Sequence, residues 1–258
     1  MKIKITFKTI IFLSVLALAS LILTIVTQYI AVAFFGFESS VYRLEEKIDF
    51  KKYVNIEVTN IPLFVDVYNG DVIKITYISE TDLITEETSY GVTIKQDPDF
   101  SFSLFSKEQL NYHMRVLLPD RIYNNVTIIS TSGEVTMGYI YTNELNVSGR
   151  SGNLNISDTG GRLNVNTVSA DINISFLEFN EMVFIETLSG DVNILMPHNK
   201  QPKLTFLTQS GAFTSDFFRF SYNKNKGNNY SVMGDNPIKF QVITKSGDLE
   251  FMKKIIER

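Results

Sequence analysis

Asp158-Thr159-Gly160 is the short signature of aspartic proteases, whose chemistry needs two carboxylates sharing one proton. The triplet occurs once, so a protease would require a symmetric dimer. The plainer reading is a corner, because Asp, Thr and Gly are ordinary turn formers. A second phrase recurs: Ser132-Gly133-Glu134, Ser151-Gly152-Asn153, Ser169-Ala170-Asp171, Ser189-Gly190-Asp191, Ser210-Gly211-Ala212 and Ser246-Gly247-Asp248. Calcium-binding solenoids of nine-residue units carry Gly- and Asp-rich loops. One acid per phrase supplies too few ligands, so no metal is assigned. His113 and His198 lie far apart and cysteine is absent, which leaves almost nothing for a histidine metal site or a Ser-His-Asp triad. There can be no thiolate zinc site and no disulfide. "NKNKGNNY" lacks the strand-to-helix context of a phosphate loop. With 24 basic against 28 acidic residues, nothing points to a nucleic-acid partner. No catalytic residue and no cofactor are expected.

The elements that carry these phrases follow from a period. Triplets of the apolar–polar–apolar kind start at Val126, Val135, Leu145, Leu154, Leu163, Ile172, Val183, Val192, Leu204 and Phe213, at spacings of 9, 10, 9, 9, 9, 11, 9, 12 and 9, with Phe184 in a middle position and Ser215 in a third position as the exceptions. Alternate side chains of a strand face opposite ways. Facing the first and third positions inward buries aliphatic side chains, each stabilising by roughly 1.5–3 kcal/mol. A slip of one residue would bury Asn and Thr instead, at roughly 1–3 kcal/mol for each unpaired group. The Ser-Gly phrase ends every other unit, so two kinds of corner alternate. The fold class is all-β: a parallel β-solenoid of about 18–21 residues per coil, stacked at about 4.8 Å. Gly133, Gly152, Gly190, Gly211 and Gly247 are the turn formers, since glycine permits a positive φ. Asn155, Asn173 and Asn193 should align on one outer sheet and Asn146 with Asn164 on the other, where amides can bond rung to rung.

All variation in unit length falls on the corners without the Ser-Gly phrase: "GYIYTNE", "SDTGGR", "SFLEFNEM" and "LMPHNKQPK". Insertions on one edge commonly mark the binding edge of a solenoid, although drift in exposed loops gives the same pattern. After Phe213 the beat stops. Phe217, Phe218, Arg219, Phe220, Tyr222, Lys224, Lys226 and Tyr230 then form either a partner-contact loop or an aromatic cover on the last coil.

From Thr9 to Phe37 no residue is charged, long enough to cross a bilayer as a helix. Lys2, Lys4 and Lys8 precede it, which keeps that flank cytoplasmic and places the remainder outside. An uncleaved anchor is favoured over a signal peptide cleaved near Ala31-Val32-Ala33, because the apolar run is long. The expected organisation is a basic tail over 1–8, a transmembrane anchor over 9–37, a linker over 38–49, a β-rich N-terminal cap leading into the coils over 50–120, the solenoid repeats over 121–215, and a long loop with C-terminal capping strands over 216–258.

The join between cap and coils reads "VLLPDRIYNNVTIISTSGEVTM". Leu118-Pro119, then Tyr123, then alternation into Ser132-Gly133-Glu134-Val135, with the closing "IKFQVITKSGDLEF", resembles the bacterial putative-adhesin family of β-strand repeats. That family is a domain of unknown function which includes LiaG-like envelope proteins, and the likeness runs from about Tyr53 to Phe251. The resemblance implies a surface-tethered β-solenoid and supplies no catalytic residues. The function expected is therefore non-catalytic binding or scaffolding in the cell envelope, with the membrane and an envelope protein or cell-wall glycan as partners. An accessory role in envelope-stress sensing and an enzyme acting on cell-wall glycan are the alternatives.

Overall fold

The computed structural model describes Ser20, 42–97, 111–157, 159–176, 181–197, 202–217, 222–223, 228–232 and 239–254. The chain divides into two units, Met1–Ser40 and Val41–Arg258. Apart from Ser20, which is helical, every described residue belongs to the second unit. The expected anchor over 9–37 lies outside the described residues, Ser20 excepted. Among the described residues no helix is long and apolar enough to cross a membrane.

The second unit is built from β1 (Tyr42–Asp49), β2 (Tyr53–Val58), β3 (Leu63–Tyr68), β4 (Val72–Ser79), β5 (Leu83–Glu87), β6 (Gly91–Gln96) and β7 (His113–Pro119). The repeats follow as β8 (Asn125–Ser130), β9 (Val135–Met137), β10 (Glu144–Ser151), β11 (Leu154–Ser157), β12 (Arg162–Ser169), β13 (Ile172–Ser175), β14 (Val183–Ser189) and β15 (Val192–Met196). The chain ends with β16 (Lys203–Thr208), β17 (Phe213–Ser215), β18 (Tyr222–Asn223), β19 (Asn228–Val232), β20 (Lys239–Ser246) and β21 (Leu249–Lys253). Two sheets result. One runs β1-β4-β7-β3-β9-β11-β13-β15-β21-β17, the other β5-β6-β2-β8-β10-β12-β14-β20-β16-β19-β18.

A strand of one sheet, a corner and a strand of the other make one coil, and coils stack in parallel register. Leu145 lies over Leu163 and Leu163 over Val183; Leu154 lies over Ile172 and Ile172 over Val192. The apolar first and third positions of the triplets all face inward and are buried, from Val126 to Phe213. The amide columns form as the sequence predicts. Asn193 donates to Asn173 and Asn173 to Asn155, both at 3.0 Å, and Asn155 donates to Glu134 at 2.8 Å. On the other sheet Asn164 donates to Asn146 at 2.8 Å.

Three expectations change. The stretch 38–49 is not all linker, because Tyr42–Asp49 is β1, an edge strand antiparallel to β4. The N-terminal segment does more than cover the coils: β6/β7 and β2/β3 are themselves coils, stacked in that order beneath β8/β9. Although β4 follows β3 directly in the chain, the two do not pair, since β7 lies between them. The third change is at the other end. The β20/β21 pair does not cap the stack; it lies between β14/β15 and β16/β17. Phe240 packs between Val183 and Leu204, so Leu204 does not stack on Val183 as sequence order suggests.

The sheet edges are covered by strands unlike the repeats. β1 reads "YRLEEKID" and β5 "LITEE", and their charges discourage further pairing. Thr85 of β5 donates to Glu46 of β1 at 2.9 Å, tying the two sheets at that end. At the other end the antiparallel β18–β19 pair continues the sheet beyond β16.

Candidate functional site: two unlike edges

The Ser-Gly corners form one edge, and their acids are occupied by the fold. The Asp171 carboxylate accepts the backbone N–H of Asp191 at 3.0 Å, that of Asp191 accepts from Asp248 at 2.9 Å, and that of Asp248 from Ala212 at 2.7 Å. Ala212 belongs to the last coil, where no further coil would donate, which accounts for the missing acid. Backbone bonds run alongside, from Leu63 to Glu134, Val135 to Asn153, Leu154 to Asp171, Ile172 to Asp191, Val192 to Asp248 and Leu249 to Ala212, at 2.8–2.9 Å. Of the five corner glycines only Gly152 and Gly190 have a positive φ, 101° and 118°. What the column requires of its glycines is close approach: a Cβ on Gly152 would stand 2.6 Å from the Gly133 carbonyl oxygen, and one on Gly133, Gly190, Gly247 or Gly211 would overlap the carbonyl of the coil beside it.

Sequence reasoning missed a third column on this edge. Thr167, Thr187, Thr244 and Thr208 are buried and in register, each three residues before the Gly or Ala of its corner. The phrase is therefore Thr-x-Ser-Gly, and the threonine was legible in "TLSGD", "TKSGD" and "TQSGA". Thr187 donates to the Ser189 carbonyl at 2.9 Å.

The residues with the most reactive potential are placed apart. Asp158 lies outside the described residues, while Thr159 is fully buried and bridges to Ile140. His113 holds the Asn111 carbonyl through Nδ1 at 2.7 Å and meets the edge of Phe64; His198 lies outside the described residues. Among the described residues no group of three or more His, Asp or Glu side chains is placed to hold a metal ion. Of the expected contact loop, Phe217 is half-buried against the core, 5.7 Å from the Phe251 ring centroid, with the Lys253 ammonium over its face. Tyr222 lies in β18 and Tyr230 in β19. Phe218, Arg219, Phe220, Lys224 and Lys226 lie outside the described residues.

The opposite edge carries the loops of varying length. Tyr123 plugs it from within: fully buried, it donates to the Pro119 carbonyl at 3.1 Å and meets Phe50 edge-on at 5.2 Å. Burial pushes its phenol pKa well up. Over this plug the surface is apolar. Tyr90 is 73% exposed and Ile122 67%, and Tyr53, Tyr141 and Met182 are also exposed. These five come from five of six successive coils, those of β6, β2, β8, β10 and β14, the β12 coil contributing none. Tyr139 stands perpendicular to Tyr141, ring centroids 4.1 Å apart. Two ion pairs lie nearby: Lys51 pairs with Glu87 at 3.1 Å, and Arg121 pairs with Asp71 while lying over the Phe50 ring.

Where this edge meets the outer face of the second sheet there is a cleft of about 170 Å³ beside Tyr53. Its floor is the in-register row Thr93, Asn55 and Thr127, from β6, β2 and β8. Gly91 leaves room beside the tyrosine, since a Cβ there would stand 3.3 Å from Tyr53 Cβ. Asn124 donates to the Tyr53 hydroxyl at 3.0 Å and holds the ring in place. Asn55 donates to Glu57 at 2.8 Å, which fixes the orientation of its amide, and its buried Oδ1 has no partner among the described residues. Farther along the same sheet a larger groove of about 570 Å³ lies over Glu186, Leu188, Leu207, Ile243 and Lys245.

Stacked coils with one strict edge and one aromatic, loop-bearing edge define an all-β repeat protein built around a solenoid-like core. The Toastrack DUF4097 family model matches residues 48–251, and the chain belongs to that family. This agrees with the resemblance carried by Leu118-Pro119, Tyr123 and the Ser-Gly-acid phrases. A similar solved structure is a putative cell adhesion protein from Clostridium sporogenes, at 16% identity over 83% of this chain and 100% of that one, with a TM-score of 0.48. Another is a putative adhesin from Bacteroides fragilis, at 11% identity over 83% of this chain and 97% of that one, with a TM-score of 0.40. A putative lipid binding protein from Parabacteroides distasonis follows at 12% identity, covering 85% and 98%, with a TM-score of 0.27. No curated protein matches the chain.

Proposed function

We propose that this chain is a non-catalytic, adhesin-like binding protein of the cell envelope, held in the membrane by residues 9–37 and binding through its loop-bearing edge. The observation that carries the reading is the run of exposed Tyr90, Tyr53, Ile122, Tyr141 and Met182 along one edge of a rigid stack. Apolar side chains gathered along one edge mark a contact site, whereas those exposed singly elsewhere, such as Leu44, Phe64 and Val168, need no such explanation. The direction of the strands supports it. β1 begins at Tyr42, opposite Ser79, on the Ser-Gly edge, so this first strand does not start on the loop-bearing edge. The carboxylates of the Ser-Gly edge hold backbone N–H groups, which leaves that edge a structural part.

The test is binding of the full-length chain, in detergent micelles, to isolated bacterial cell envelopes. The double variant Ile122→Ser/Tyr141→Ser should bind at least about tenfold more weakly, a loss of about 1.4 kcal/mol. Equal binding by the variant and the unaltered chain would overturn the reading.

A further inference from the structure

The cleft beside Tyr53 has the chemistry of a sugar subsite. From the geometry we infer that it takes one ring of a neutral pyranose glycan, with the chain of rings continuing along the exposed edge; the inference rests on the binding reading above. A pyranose offers an apolar face of C–H groups and a rim of hydroxyls. The Tyr53 ring supplies a flat amphipathic surface for the first. Asn55, Thr93 and Thr127 supply an amide and two hydroxyls for the second. A volume of about 170 Å³ displaces five or six waters at about 30 Å³ each, the scale of a single ring.

Charge selects the class. The one ionised group lining the cleft is Glu86, and Lys95 holds it at 2.8 Å. The ammonium groups beside the cleft, Lys51 and Lys95, are each paired with a glutamate, Glu87 and Glu86, so the charge there is balanced and favours neither a phosphate nor a lipid headgroup. The repeat supports a polymer over an isolated sugar. Tyr90 and Ile122 flank Tyr53 from the coils on either side and Tyr141 follows one coil further on, in steps of about 4.8 Å.

The test uses the full-length chain in detergent micelles with cellotetraose, maltotetraose and N,N′,N″,N‴-tetraacetylchitotetraose, read by titration calorimetry and by saturation transfer from aromatic protons. At least one should bind, with transfer to ring C–H protons. Tyr53→Ala should weaken binding tenfold or more, Gly91→Val should do the same by filling the cleft, and Tyr53→Phe should restore it. Leu188→Ser, in the separate groove, should leave it unchanged. Failure of all three sugars to bind the unaltered chain, or unchanged binding by Tyr53→Ala and Gly91→Val, overturns the inference. If a variant fails to fold, absence of transfer from tyrosine protons in the unaltered chain overturns it equally. Envelope binding that still depends on Ile122 and Tyr141, with no sugar bound, would sink the glycan and leave the edge reading standing.

Discussion

The carboxylate of Asp191 accepts the backbone N–H of Asp248 at 2.9 Å, although 57 residues separate them in the chain. The bond marks where the C-terminal coil enters the stack. Asp191 also donates its own N–H to Asp171, so one residue joins three coils. Asp191→Ala should cost about 1–2 kcal/mol, the lower range for a hydrogen bond to a charged group at an exposed site. Asp191→Asn, which keeps an oxygen acceptor, should cost less. Urea denaturation of the three proteins checks the order.

Glycine positions on the Ser-Gly edge should divide sharply. Gly190→Ala meets both a φ of 118° and the Ala170 carbonyl, and should destabilise by about 2–4 kcal/mol. Gly149→Ala meets nothing nearer than 3.6 Å and should change stability by less than about 1 kcal/mol. Thermal melts of the two variants under one condition decide this.

Removal of residues 239–258 should be far worse than loss of a cover. Phe240, Val242, Leu249 and Phe251 are all buried at 1% exposure or less, and their removal leaves β14/β15 and β16/β17 without partners. The truncated chain should lose cooperative unfolding and self-associate, as seen by circular dichroism and size-exclusion chromatography. A folded monomer would show that the stack can close over the gap.

The Asn column points one way, with Asn193 donating toward Glu134 and its own carbonyl facing the coil of Glu250. A carboxylate cannot donate to that carbonyl. Glu250→Asn should extend the column and stabilise by about 0.5–1 kcal/mol, measured by the urea midpoint.

Alkaline pH should weaken the fold through its tyrosines. Burial, then the bond to the Glu80 carboxylate at 2.7 Å, pushes Tyr112 up to about 12, and burial raises Tyr77 and Tyr123 as well. A folded pKa above the unfolded value near 10 means the unfolded chain loses its protons first. The contribution is therefore whole below about pH 10 and disappears as pH climbs toward 12. Tyr112→Phe should flatten that fall, followed by tyrosinate absorbance alongside circular dichroism.

Period and parity were legible in the sequence because they are local. Every Leu-Asn-Val or Ile-Asn-Ile triplet decides its inward face by itself, and the Asn columns follow once the coils align. The order of coils was not legible, because the phrase is the same everywhere. Ser246-Gly247-Asp248 fits on Ser189-Gly190-Asp191 as well as Ser210-Gly211-Ala212 does, and only Ala212, with no acid to offer a next coil, marks the end. β1 escaped notice because "YRLEEKID" is charged like a linker, although an edge strand gains from such charges. The Tyr53 cleft depends on β6, β2 and β8 lying side by side out of sequence order, and Gly91 is its only local sign.

The coil formed first along the chain, β2/β3, and the one formed last, β20/β21, each sit between two others. A tug on the C-terminus must therefore drag a slab out from between neighbours bonded to it on both faces, with no free rim to start a tear. Force on the N-terminal side meets β1 instead, an edge strand paired with β4 alone, so the two ends of the sheet structure yield in different ways.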